Sequence, residues 1–240
     1  MASSAILPLN QIVTEQKNVE VLEEDNDYNK YKKDAMYYID NALLQLGSTL
    51  LFSHANGKLV YLQRAYPSVS KAFDALNNVE HTPEIVEAKS RLLDAANKID
   101  QAARLGNVDA MNMLIGEAII SLSIAQRNIP YQESGYYKRE AMYYCDQALL
   151  QLGQTLFYNT ANGKLIHLQT AYPYVSKAFE ALNNVEHTPE ILEAKYSLLE
   201  AADKIDQAAR LGNPDAMNMV IGGAIRSLSL AQMNIGFSVL

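Results

Sequence analysis

Histidine and cysteine, the side chains best suited to metal and nucleophile chemistry, are scarce: His54, His81, His167, His187 and Cys145. A carboxylate-bridged metal centre in a helical protein needs Glu-x-x-His pairs, which place both ligands on one helix face. None occurs. Glu80 and His81 are chain neighbours, so their side chains diverge. The sequence also lacks a G-x-S-x-G elbow, a Walker-type phosphate loop and a G-x-G-x-x-G fingerprint. Carboxylates are numerous, but they fall beside Lys or Arg on outer helix faces, as solvated pairs do. No catalytic residue, no metal and no cofactor is therefore expected, and the chain does not read as an enzyme.

Two prolines break a local rule. Pro67 in AYPSVSKAF and Pro173 in AYPYVSKAF lie inside otherwise regular helical patterns. An interior proline removes a ladder hydrogen bond and clashes with the preceding turn, a cost of ~3 kcal/mol. One reading is a kink that fits the helix to its neighbours. The other is a bulge that opens the core beside Tyr61 and Tyr66, or His167 and Tyr172, and admits an apolar ligand such as a lipid or pigment. Tyrosine is abundant, at 15 residues, while Trp is absent. Tyr37-Tyr38 and Tyr143-Tyr144 straddle the edge of an apolar stripe. Tyr37 and Tyr143 thus join the candidate contacts for a partner or a planar ligand.

These residues sit in a duplicated framework. Residues 33–129 align without a gap onto 139–235 at an offset of 106, and 25 of the 97 paired positions differ. AMYY, ANGKL, NNVEHTPEI and RLGN all recur. His54 is matched by Thr160 and His167 by Tyr61, so a site built on either would exist once only. Cys145 replaces Ile39 and reads as a small buried apolar residue. Ile120 becomes Arg226, a change that a core position would not accept cheaply. Arg226 is thus expected to be exposed, and Ile120 to face the other repeat or a partner.

Within a repeat, apolar positions step by three and four, with Leu59, Leu62, Tyr66, Val69, Phe73 and Leu76 expected as the buried stripe of the second helix and Ile85, Ala88, Leu92, Ala95, Ile99 and Ala102 as that of the third. The spacing predicts helices over about 31–53, 58–77, 83–105 and 108–128, and nothing alternates with the period of a strand. Thr82-Pro83-Glu84 offers an N-cap, a first-turn proline and an acid at the positive helix end. Asn107 and Asn213-Pro214 are further helix starts, and Ala55-Asn56-Gly57 offers a left-handed helix stop. Glycines inside the helical patterns (Gly47, Gly116, Gly153, Gly222 and Gly223) imply close helix approach or room for a ligand ring. Short loops make successive helices antiparallel. The fold expected is all-α, a tandem duplication of a roughly 100-residue up-down-up-down four-helix bundle, with an α-solenoid as the lesser alternative. The divisions are an acidic lead-in over 1–30, repeats over 31–129 and 138–236, a linker over 130–137 and a tail over 237–240.

Composition sets the remaining limits. Lys+Arg is 20 against 27 Asp+Glu, a net charge of −7, which disfavours nucleic acid as a partner. One Cys makes no intrachain disulfide. No apolar run approaches a membrane span, and no basic, apolar leader opens the chain, so a soluble, cytoplasmic protein is expected. The function expected is non-catalytic. Two similar surfaces bind a partner protein or serve in self-assembly, with an apolar-ligand carrier as the alternative.

Overall fold

The computed structural model describes the backbone of residues 9–130 and 135–237, with side chains over 28–130 and 135–236. The described residues form eight helices: α1 (Leu9–Thr49), α2 (Ala55–Leu76), α3 (Pro83–Ala103), α4 (Val108–Asn128), α5 (Tyr136–Thr155), α6 (Ala161–Leu182), α7 (Pro189–Ala209) and α8 (Pro214–Phe237). No strand occurs among the described residues. The all-α expectation holds.

The helix starts follow from their caps. Thr82 Oγ1 accepts from the Ile85 amide at 3.4 Å and Asn107 Oδ1 from the Ala110 amide at 2.9 Å, each relieving an orphaned first-turn donor. Thr188 and Asn213 repeat the arrangement in the second copy. On α3 the buried set is Ile85, Ala88, Leu92, Ala95, Ile99 and Ala102, the stripe read from sequence.

Several expectations require correction. Helix α1 begins at Leu9, so it runs through most of the stretch read as an N-terminal lead-in, and it stops at Thr49. Its stop uses no left-handed residue: the amides of Leu50, Leu51 and Phe52 turn back onto carbonyls three residues earlier. Ala55-Asn56-Gly57 instead forms the first turn of α2. Gly57 lies under the Phe52 ring, where a Cβ would approach to 2.6 Å. The buried stripe of α2 contains Lys58 and Ala65 where Leu59 and Tyr66 were expected.

Consecutive helices pack in pairs, and the closure is made across the duplication. Helix α1 packs chiefly on α2 and α8, and α4 on α3 and α5, while α1 with α4 and α5 with α8 touch only lightly. The buried apolar residues of both repeats form one continuous cluster, so the halves do not own separate cores. Four helix-interior glycines make this possible. A methyl on Gly116 would lie 2.6 Å from the Gly153 carbonyl oxygen, and one on Gly222 would lie 2.5 Å from that of Gly47. Each glycine costs about 0.5–1 kcal/mol in a helix, and the backbone approach it permits offsets that cost. Helix α4 is long and apolar enough to cross a bilayer by length and composition, but more than half of that stretch is buried.

Candidate functional site

The candidate residues read from sequence do not gather in one place. Tyr66, Pro67, Tyr172 and Pro173 lie on the exposed faces of α2 and α6, and both helices run unbroken through their prolines. The carbonyl that loses its ladder partner can therefore meet water. Ala65, Val69, Ala171 and Val175 beside them are buried and close the inner face. Of the two readings of the prolines, the one that opens the core at Tyr66 and Tyr172 is not met there.

Tyr61 stands 5.3 Å from Phe52, centroid to centroid, with the Arg64 guanidinium over its ring. His167 occupies the equivalent place against Tyr158 and approaches Gln151 Oε1 at 3.0 Å through Nδ1. Burial lowers the His167 pKa. Tyr37 and Tyr143 are exposed at equivalent positions of α1 and α5, with Arg127 over the Tyr143 ring. Ile120 packs on the other repeat: its Cγ1 lies 2.9 Å from where a Gly153 Cβ would stand. Arg226, expected to be exposed, is half-buried, with its stem against Gly47.

The outer helices carry matched apolar faces. Val86 and Leu93 on α3 are 55% and 52% exposed, and Leu192 and Leu199 hold the same positions on α7 at 43% and 52%. Their spacing of seven residues is two helical turns, so each pair shares one face. Tyr196, 68% exposed, extends the α7 stripe where α3 has Ser90. Val60 and Ile166 are exposed at matching positions of α2 and α6.

Two polar constellations lie inside, and composition gave no sign of either. At one end of the molecule Lys58 and Lys164 are 1% exposed. Lys58 Nζ donates to the Thr49 carbonyl at 3.1 Å, capping the last turn of α1. Lys164 Nζ donates to the Thr155 carbonyl at 2.9 Å and to Asn218 Oδ1 at 2.7 Å. Burial pushes both ammoniums down to about 8, against an upward pull from Asp215. Asn112, the counterpart of Asn218, is buried, and its Oδ1 has no donor. Lys58, Asn112, Asn218, Asp215 and the first turn of α4 line a cleft of about 360 Å³. The signal that could have exposed this site was the lysine of ANGKL, one residue before the apolar position taken as core.

At the other end Asp40 and Asp146 are buried. Gln126 Nε2 donates to Asp40 Oδ1 at 2.8 Å, and Gln232 Nε2 donates to Asp146 Oδ1 at 2.7 Å. These two bonds tie α1 to α4 and α5 to α8. Burial raises the Asp146 pKa to about 8, while Gln232 and Arg127 pull it down. The Oε1 atoms of both glutamines lack donors. Cys145, fully buried beside this pair, has its thiol pushed well up by burial and then by Asp146 and Asp40, which makes it a poor nucleophile. Among the described residues no three His, Cys, Asp or Glu side chains converge on a possible metal position. No family model, curated protein or solved structure matches the chain.

Proposed function

We propose that this chain is a non-catalytic interaction protein built from two four-helix units. The first and fourth helix of each unit meet in a shared middle, and the α2–α3 and α6–α7 hairpins are presented outward as two similar docking surfaces for a protein partner. One observation carries the reading: large apolar side chains stand exposed at matching positions of the two copies, two helical turns apart on α3 and again on α7. Isolated exposed apolar residues are ordinary, but aligned ones mark contact surfaces. Two equivalent surfaces on one chain also raise apparent affinity when a partner, or a pair of partners, engages both.

The test is native mass spectrometry of the full chain purified from its source, followed by Leu93→Lys and Leu199→Lys, singly and together. The expected result is a complex that each single change weakens and the double change abolishes. A wild-type chain that carries no protein partner and does not self-associate would overturn the reading. So would a complex indifferent to both substitutions.

A further inference from the structure

The Lys58 cleft holds hydrogen-bonding capacity that the protein leaves unspent. An ammonium carries three N–H donors. Lys164 spends two of them, on Thr155 and Asn218, whereas Lys58, equally buried, spends one, on Thr49. Asn112 lines the same cleft and is 4% exposed, and its Oδ1 accepts nothing. A buried polar atom without a partner has lost its hydration and gained no bond in exchange. An occupant that accepts from Lys58 and donates to Asn112 would supply that bond.

The surroundings refine the chemistry. The first turn of α4 borders the cleft and favours an anionic group. The Asp109 carboxylate on that same turn and the Asp215 carboxylate line the space as well and favour a cationic one. A volume of about 360 Å³ compares with roughly 30 Å³ for a water molecule's share of the liquid. A small organic molecule fits.

We propose that this cleft binds a small zwitterion, an α-amino acid or an amino-carboxylate of similar size. Its carboxylate lies on Lys58 Nζ, and its amine donates to Asn112 Oδ1 on the side of Asp215. The equivalent cleft in the second repeat is smaller, about 200 Å³, and its Lys164 and Asn218 already bond each other, so one molecule binds per chain.

The test is titration calorimetry and thermal unfolding of the full chain near neutral pH with the standard amino acids and 4-aminobutyrate. Acetate and methylammonium serve as half-ligands, and glycine betaine as a zwitterion without an N–H donor. At least one amino-carboxylate is expected to bind one to one and raise Tm, while acetate, methylammonium and betaine do neither. Lys58→Met should weaken binding at least about tenfold. A second measurement uses the wild type alone: the bound amino-carboxylate should slow acetylation of Lys58, read by mass spectrometry of its peptide. Failure of every amino-carboxylate to bind overturns the proposal. So does equal binding of acetate or methylammonium alone, or binding that leaves Lys58 unshielded.

Discussion

The two ends of the α1, α4, α5 and α8 core bury opposite charges by different means. Asn112 and Gln126, one from each end, are fourteen residues apart on α4, about 21 Å at 1.5 Å per residue. At the lysine end, each ammonium sits on the last-turn carbonyl of a helix, where the macrodipole favours positive charge. Exposed Asp109 and Asp215 stand near the same space. At the aspartate end each carboxyl meets a neutral amide, and burial outweighs the Gln232 bond and the Arg127 charge at Asp146. A dipole can hold a buried ion as an ion, whereas at Asp146 burial keeps the proton on the carboxyl even against the pull of the amide N–H that donates to it.

That contrast makes stability depend on pH in opposite directions. Asp146 has an ordinary pKa of 3.8 and a folded value of about 8. Between those values the folded chain holds the extra proton, so the Asp146 contribution is complete below 3.8 and is lost as pH rises through about 8. Lys58 and Lys164 fall from 10.5 to about 8 on folding. Their contribution is complete above 10.5 and is lost as pH falls through about 8. Urea unfolding across this range should show a minimum in stability near the shared value. The largest single effect is expected from Asp146→Asn, which cannot ionise and still accepts from Gln232. It should erase the acid-side decline and leave the variant more stable than wild type above that minimum, by a few kcal/mol at about 1.4 per pKa unit. A variant with an unchanged pH profile would remove the distinction between the two ends.

The next effect tests the glycine crossings. Gly116→Val and Gly222→Val should each destabilise by about 3 kcal/mol, because each drives a side chain into the carbonyl of the facing glycine. Gly106→Ala, where a Cβ meets nothing within 4 Å, is the silent control. Smaller still is the difference between the lysines. Lys164→Met strands two acceptors and Lys58→Met strands one, so the former should be less stable by about 1–2 kcal/mol in matched denaturation curves. Both changes should flatten the alkaline rise. The smallest effect on stability, within about 0.5 kcal/mol, is expected from Leu93→Lys and Leu199→Lys, whose consequences belong to binding.

Particular residues mark where sequence reading succeeded and where it stopped. The caps at Thr82, Asn107, Thr188 and Asn213 and the α3 stripe were legible because each depends on neighbours within one or two turns. Tyr66 and Lys58 were misassigned for one reason. A stripe one position wide cannot separate Lys58 from Leu59, or Ala65 from Tyr66, when lysine's long stem can lie along an apolar surface. The α1–α8 and α4–α5 closure was equally hidden. The four glycines announced a close approach but not its partners, and self-closed bundles satisfy the same periodicity.

Chain chemistry alone therefore determined that the molecule is helical, that it is a duplication, and where most helices start and stop. These properties follow from local hydrogen bonding and from the repeat itself. Tertiary packing decided that α1 meets α8 and α4 meets α5, and that the prolines face outward. It also decided that Lys58, Lys164, Asp40 and Asp146 lie inside, because the cost of a buried charge depends on carbonyls and amides contributed by distant parts of the chain.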